Sequence, residues 1–436
     1  VGKTTLIQKA LKSSSYRTVY FECLKGTMQD NINGLVRELV RAKLLPVPLN
    51  FSTLQDVFAY LNALPQKIIV VIDEYPYLKA MNDSATVDSV FQNIIDNRLV
   101  NIELILSGSH IGMMKDTLQE KNALYGRFAV TIKLNELNYL EAAKFYPDKT
   151  HYDKSAHYAV FGGSPFVNQA LNPAATIREN IINTILNPMS AVYLYASQLL
   201  LSDYSVKINA ERIFSVIGNG KKRYTEIEDK LDVKKTGNLS KQIKSLIDLE
   251  IIARNSPINK IGDNKKSTFE INDNLLRFYF TFIYKNASAL QVLGAESFYD
   301  EYIAPALTDF ISRRFEGICR DYFSLQVRSG KMKGVRNIGS YYYDDPAHRK
   351  NGEFDVALEF ADGYEIYEAK YYAQPMTLDE IHREVRQVEG IKELTVKQIG
   401  FIAINGFAEK EEPYLYLDGN NIFANEKVLY GKYDVE

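Results

Sequence analysis

Tryptophan is absent from the 436 residues, and cysteine is nearly so, with Cys23 and Cys319 alone. The two cysteines stand far apart with no metal-ligand or disulfide spacing. That excludes a zinc-stapled or disulfide framework and fits a reducing cytoplasm. No apolar run approaches the ~20 residues of a membrane-spanning helix, so neither a span nor a membrane partner is expected. Excess charge is lacking too. A formal net charge of −2 gives no whole-molecule attraction to nucleic acid or anionic lipid, so any such attraction must come from local patches. Internal repeats and low-complexity tracts are missing as well. The visible sequence begins at Val1 and leaves room for a targeting signal ahead of it. What is present, 46% hydrophobic and 24% charged residues, is the composition of a soluble globular protein, and the length predicts two to four domains. Thirty tyrosines and 22 phenylalanines read as a packing preference.

The first stretch that carries chemistry is Gly2-Lys3-Thr4-Thr5, running into Leu6-Ile7-Gln8-Lys9-Ala10. It reads as the end of a phosphate-binding loop, G-x-x-x-x-G-K-[ST], entering a helix; the first glycine and its strand are expected before Val1. Backbone N–H groups at a helix N-terminus suit an anion. Lys3 would reach the β- and γ-phosphates, and the Thr4 hydroxyl would ligate Mg²⁺. Helix and strand signals then alternate up to Lys67-Ile68-Ile69-Val70-Val71-Ile72-Asp73-Glu74, an apolar strand ending in two acids. In a Walker B reading, Asp73 holds Mg²⁺ through water and Glu74 polarises the attacking water. The plain alternative is any buried parallel strand that ends in a polar loop; the preceding loop and the alternation favour the catalytic reading. A further strand, Ile102 to Leu106, leads to Ser107-Gly108-Ser109, where Ser109 reads either as a γ-phosphate sensor or as part of a turn. Arg127, ahead of an expected last strand Val130–Leu134, reads either as a phosphate-sensing arginine or as a surface one.

Gly2-Lys3-Thr4-Thr5, the strand through Asp73-Glu74-Tyr75-Pro76, Leu104 to Gly112, Leu124 to Arg127 and Phe161-Gly162-Gly163-Ser164-Pro165 together resemble the archaeal-type ATPase branch of the STAND/AAA+ P-loop NTPases. The resemblance implies ATP as the nucleotide, with Gly2, Lys3, Thr4, Thr5, Asp73, Ser109 and Arg127 around it, and a helical lid after the core. In the lid, Gly162-Gly163 would approach the nucleotide, or else serve as a plain turn. His151 and His157 are expected at the surface, since no carboxylate or cysteine shares their spacing.

Beyond the lid, three short helices (Glu211–Ile217, Tyr224–Leu231, Asn238–Leu249) precede two strands around a polar loop, a winged-helix pattern. Lys234, Lys235, Lys241 and Lys244, with Lys260, Lys265 and Lys266 in the loop, would contact DNA phosphates, or form an ordinary solvated face. The last third predicts a long helix carrying Glu316 on its inner face, then a hairpin turning at Asp362-Gly363. Such a turn sets Asp355 opposite Lys370, with Glu368 and Glu353 on the same side. Convergent carboxylates with one lysine suit metal-dependent phosphodiester chemistry, in which acids hold Mg²⁺ and the lysine orients or deprotonates water. Asp355, Glu368-Ala369-Lys370, upstream Glu316 and downstream Gln387 resemble the PD-(D/E)xK nuclease superfamily, with Phe354 where that family often has proline.

The expected architecture is therefore multidomain α/β: an ATPase core over 1–135, a helical lid over 136–202, a winged helix over 203–285 and a restriction-endonuclease-like domain over 286–436. Glu74, Asp355, Glu368 and Lys370 are the expected catalytic residues, and Thr4, Asp73, Glu316, Asp355 and Glu368 the expected metal ligands. The expected function is an ATP-hydrolysing, Mg²⁺-dependent cytoplasmic switch coupled to DNA binding and cleavage, with DNA as partner and a homo-oligomer among the expected assemblies. The alternative is a non-nucleolytic regulator that only binds DNA or protein.

Overall fold

The computed structural model describes the chain apart from residues 1, 83, 98, 196–209, 219, 233–236, 346–349 and 425–436. It divides into two compact units, one up to Asn135 and one from Glu136 onward.

In the first unit the alternation becomes α1 (Lys3–Lys12), β1 (Arg17–Glu22), α2 (Met28–Arg41), α3 (Leu54–Asn62), β2 (Ile68–Asp73), α4 (Tyr75–Met81), α5 (Ser84–Asp96), β3 (Ile102–Leu106) and α6 (Ile111–Asp116). Side-chain caps begin two of these helices: Thr27 and Asp30 form a capping box on α2, and Thr53 accepts from the Asp56 N–H on α3. The strands form a parallel sheet ordered β1-β2-β3, with Phe21 opposite Ile72 and Ile72 opposite Leu106. Central β2 is apolar along its length because helices cover it; Val57, Leu61, Val70 and Phe91 are fully buried. Each such side chain contributes ~1.5–3 kcal/mol of burial. The expected strand Val130–Leu134 does not form. No described strand pairs with it, and without a ladder its Val130 and Ile132 side chains stay exposed.

One buried ion pair ties α4 to α5. Asp88 accepts from Lys79 Nζ at 2.8 Å, from the Tyr75 hydroxyl at 2.6 Å and from Asn122 at 2.8 Å. Both charged side chains are almost fully withdrawn from water, at 2% and 4% exposure. Every polar atom has a partner, so the pair is tolerated; loss of one member strands the other.

The second unit starts with α7 (Tyr139–Ala142), α8 (His151–Phe161), α9 (Pro165–Gln169) and α10 (Ile177–Asn180). Next come α11 (Ala210–Ile217), β4 (Lys222–Arg223), α12 (Tyr224–Leu231), α13 (Asn238–Asp248), β5 (Ile252–Asn255) and β6 (Thr268–Ile271), whose strands form an antiparallel sheet ordered β4-β6-β5. Then follow α14 (Asn274–Phe278), α15 (Ala287–Phe298), α16 (Ala304–Arg328), β7 (Asn337–Asp345), β8 (Lys350–Phe360), β9 (Gly363–Lys370), α17 (Leu378–Glu389), β10 (Val396–Ala403), β11 (Leu415–Asp418) and α18 (Gly419–Ile422). The second sheet runs β11-β10-β9-β8-β7, antiparallel from β7 to β9 and parallel from β9 to β11, with α17 in the crossover.

Alternation along the strands gives this sheet two apolar faces. Val356, Leu358, Tyr367 and Ile402 share a core with α8, α14 and α16, while Ala357, Ile366 and Phe401 share another with Ile381, Val385 and Val388 of α17. The 136–185 helices and the last third thus form one continuous core. Glu270 of β6 fastens the small sheet to it, accepting from Arg314 of α16 at 3.0 Å and lying 3.2 Å from the Arg277 guanidinium of α14 in an ion pair. Gly163 permits a close approach of backbone to backbone: a Cβ there would lie 1.9 Å from the Leu137 carbonyl oxygen.

His157 is fully buried, contrary to the expectation of a surface histidine, because it lies on the face of α8 that enters this core. Its Nδ1–H donates to the Asp153 carbonyl and its Nε2 accepts from Asn180, which is the neutral tautomer. His151 is partly exposed and stacks on Phe423. Burial pushes His157 down to about 4, against the pull of the Asp153 carbonyl.

Two consequences for stability follow from these buried titratable groups. Asp88→Ala leaves the Lys79 ammonium buried and alone, so it should cost ~3–5 kcal/mol in denaturant unfolding; a loss below about 1 kcal/mol contradicts the account. For His157 the folded value lies below the ordinary one near 6.5, so the unfolded chain binds the extra proton. Stability is then full above about pH 6.5 and falls by roughly 2–3 kcal/mol as pH drops toward 4. His157→Gln should flatten that slice of the pH profile, read by thermal melts.

Candidate functional site

The C-terminal ends of parallel strands gather loops at one edge, the usual place for a site in such sheets. Here Asp73 ends β2, Ser107 to Ser109 follow β3, and α1 presents its first turn. Gly2 precedes that helix at φ 78°, a left-handed conformation that favours glycine. Lys3, Thr4 and Thr5 form the first turn beside it. The Thr4 hydroxyl donates to Asp73 Oδ2 at 2.9 Å, which joins the two expected motifs directly. The Tyr20 hydroxyl, from β1, donates to the same oxygen at 2.5 Å, and the Glu74 N–H donates to Oδ1 at 3.0 Å. Burial alone raises the Asp73 carboxyl, but donors led by Tyr20 outweigh it and hold it below the usual carboxylate range. Asp73 therefore stays charged although 1% exposed.

Glu74 occupies a strained backbone position, φ 51° and ψ 41°, at the start of α4. Its carboxylate accepts from the Ser109 hydroxyl at 2.7 Å and the Ser109 N–H at 3.2 Å. Gly108 makes this approach sterically feasible, since a Cβ there would lie 2.4 Å from Pro76. Of the two readings of Ser109, the turn becomes the means by which the serine reaches the glutamate. Arg127 is placed elsewhere. It forms a two-pronged ion pair with Asp96, at 2.8 and 2.9 Å, and also donates to the Tyr125 carbonyl. The planar guanidinium matches a carboxylate fork, and a nearby acid has taken it.

In the second unit the hairpin register differs from the expected one. Phe360 pairs with Gly363 and Val356 with Tyr367, so the turn residues are Ala361-Asp362. Continued by one residue, this ladder sets Asp355 against Glu368 rather than Lys370. Gly363 sits at φ +143° against the Thr395 carbonyl, which fixes the turn one residue early. A β-bulge also interrupts β8: Gly339 pairs with Ala357 but Tyr341 with Phe354. The extra residue breaks the alternation that would have put Glu353 beside Asp355, and Glu353 is exposed.

Lys370 Nζ lies 2.5 Å from Glu368 Oε1 and 3.5 Å from Glu384 Oε1 of α17. Asp355 Oδ2 accepts from the Ala369 N–H at 3.4 Å. Burial, then the Glu368 and Glu316 charges, push the Asp355 carboxyl well up. Burial also raises Glu368, with Lys370 opposing. Burial lowers Lys370, but Glu368 and Glu384 overcome it and raise it, which favours the ammonium form.

Glu316 lies close enough for its charge to raise both Asp355 and Glu368, and its Oε2 also lies 3.6 Å from Lys221 Nζ and 3.9 Å from Arg320. Gln387 donates to the Tyr343 hydroxyl and is outside this group. Among the described residues no three or more His, Cys, Asp or Glu side chains converge as a metal shell. Of the expected set, Asp355 and Glu368 lie nearest each other, while Glu316 acts on both through its charge and is also paired with Lys221 and Arg320.

The lysines expected on a DNA-facing surface divide. Lys241 and Lys244 are exposed on α13, and Lys265 is exposed in the β5–β6 loop. Lys266 is engaged: its Nζ donates to the Tyr342 hydroxyl at 2.7 Å. Asn259 of the same loop exchanges bonds of 2.8 and 3.0 Å with the Tyr342 backbone, and Ile258 enters the α17-side core. Lys234 and Lys235 lie outside the described residues. Sequence reasoning missed Tyr20, Glu384 and Lys221. The signal for Glu384 was its place one helical turn before Gln387, on the face of α17 that carries Ile381, Val385 and Val388; Tyr20 and Lys221 had none short of tertiary contact.

Residues 1–167 match a family described as an ATPase domain predominantly from Archaea, and residues 279–384 match one described as Archaea bacterial proteins of unknown function. An uncharacterized protein of Methanocaldococcus jannaschii is 27% identical over 327 residues, which is 74% of this chain and 70% of that protein. Among solved structures, the Walker-type ATPase of Pyrococcus abyssi aligns over 64% of this chain and 87% of its own, at 18% identity and a TM-score of 0.48. The ORC2 protein of Aeropyrum pernix, solved as ADPNP–ADP complexes, aligns over 64% and 82% at 12% identity and a TM-score of 0.41.

Proposed function

We propose, from the archaeal-type ATPase domain matched at residues 1–167, that this chain is an ATP-binding and ATP-hydrolysing switch. The observation that carries it is the direct bond from Thr4 to Asp73, which joins the phosphate-loop and strand motifs. Thr4 and Asp73 fit Mg²⁺: both offer hard oxygen donors, and Asp73 remains charged through its donors. When bound, the ion supplies neutralisation of the developing charge on the β- and γ-phosphates. Lys3 and the first-turn N–H groups beside Gly2, Thr4 and Thr5 bind the phosphates. Glu74 orients the attacking water, and Ser109 fixes where that carboxylate points.

The second unit is proposed as the output. Its three helices and β4-β6-β5 sheet follow a winged-helix order, with the exposed Lys241 and Lys244 facing DNA phosphates. Asp355, Glu368 and Lys370 make the last domain nuclease-like. The two acids fit a divalent cation, since both are buried hard oxygen donors set close together, and burial with repulsion from neighbouring acids raises both carboxyls. Lys370 holds Glu368 in place as an ammonium. The non-nucleolytic alternative draws on the engaged β5–β6 loop and on the cations that already pair Glu316.

Lys3→Ala in the full-length protein should abolish ATP binding by at least tenfold in a fluorescent-nucleotide titration; unchanged affinity and turnover would refute the ATPase reading. Asp355→Ala and Lys370→Ala should each abolish Mg²⁺-dependent DNA cleavage by the full-length protein, assayed on single- and double-stranded DNA with and without ATP. No cleavage by the unmodified protein removes the nuclease reading and leaves the binding one.

A further inference from the structure

Two hydroxyls share one oxygen at the end of the central strand of the first unit. Asp73 Oδ2 accepts from Thr4 at 2.9 Å and from Tyr20 at 2.5 Å, while Oδ1 takes the Glu74 N–H at 3.0 Å. The two donors differ in how firmly they are held. Thr4 lies on the exposed first turn of α1, a helix none of whose described residues is buried. Tyr20 stands on β1, paired to β2 by a ladder that runs from Arg17 opposite Ile68 to Glu22 opposite Asp73, and its side chain is half-buried. The strand that carries Asp73 and the strand that carries Tyr20 are thus fixed to each other by backbone hydrogen bonds, and the phenol spans them.

We infer that Tyr20 is a positioning residue for the magnesium carboxylate: its hydroxyl locks the Asp73 side chain in the orientation that faces Thr4. The inference rests on the ATPase reading above. An aspartate at a strand end has two soft torsions, and a carboxylate held only by Thr4 and one N–H turns when Thr4 moves. A Thr4 hydroxyl that gives a lone pair to a metal can keep its proton on Oδ2 only while that oxygen stays in place. Tyr20 supplies the fixed donor. It acts through Asp73, the group its hydroxyl donates to. A phenol whose only role was to satisfy a buried carboxylate oxygen would affect stability alone.

The experiment is mant-ATP titration of the full-length protein and of Tyr20→Phe, each in EDTA and in Mg²⁺. Tyr20→Phe keeps the ring and removes one hydrogen bond to a charged group, so the tightening of mant-ATP binding by Mg²⁺ should fall roughly tenfold. Affinity in EDTA should stay within about twofold, and the melting temperature should confirm a folded variant. In an Asp73→Asn background the Tyr20→Phe change should add nothing further, which isolates the pair. Full Mg²⁺ tightening in Tyr20→Phe, or an equal loss with and without Mg²⁺, overturns the inference. Absence of mant-ATP binding by the unmodified protein under both conditions overturns the ATPase reading, and this inference with it.

Discussion

Carboxylates taken out of water govern where the parts of this protein sit, because each needs donors or a cation to remain there. Asp88 has Lys79, Tyr75 and Asn122, and Glu270 has Arg314 and Arg277. Both are neutralised by cations and tie secondary elements together. Asp73 is treated differently. Its partners are two hydroxyls and an N–H, so it is stabilised as an anion without being neutralised. Asp355 is different again, with only one long N–H bond and two acids close by. The form of compensation separates the acids neutralised by cations within the fold from Asp73 and Asp355, whose hydrogen bonds come from hydroxyl or N–H donors.

The same contrast orders the first unit from sequence to site. An apolar β2 is buried between helices and must end in a polar loop, which puts Asp73 and Glu74 at the sheet edge. The Tyr75 hydroxyl on Asp88 and the Tyr75 N–H on the Ser107 carbonyl anchor the next residue on both sides. Glu74 is left in a left-handed conformation between these fixed points, with Ser109 on its carboxylate. Strain of this kind persists only where neighbouring contacts over-determine it.

Legibility varied with the range of the interaction. The phosphate-loop helix, β2, the long α16 and the β5–β6 pair were readable, since periodicity and end signals are local properties. Val130–Leu134 had the composition of a strand but found no ladder, and composition cannot supply a neighbour. In the hairpin, Asp362-Gly363 is a strong turn signal, yet packing of Gly363 against Thr395 moved the turn by one residue and the pairing by two. Asp355, Glu368 and Lys370 still came together because residues two apart on β9 share a face whichever pairing is chosen. Glu353 and Gln387 did not, since a bulge and one turn of helix redirect them.

Sequence by itself determined the residue types at each strand end, the amphipathic faces and the order of motifs, because these follow from periods of two and 3.6 residues and from the chemistry of single side chains. Only tertiary structure decided which partner each buried charge obtained: Tyr20 for Asp73, Asp96 for Arg127, Lys221 for Glu316 and Glu384 for Lys370. Those choices depend on distances of a few ångströms between segments far apart in the chain. Electrostatic attraction rewards the nearest available partner, and proximity is a property of the folded chain alone.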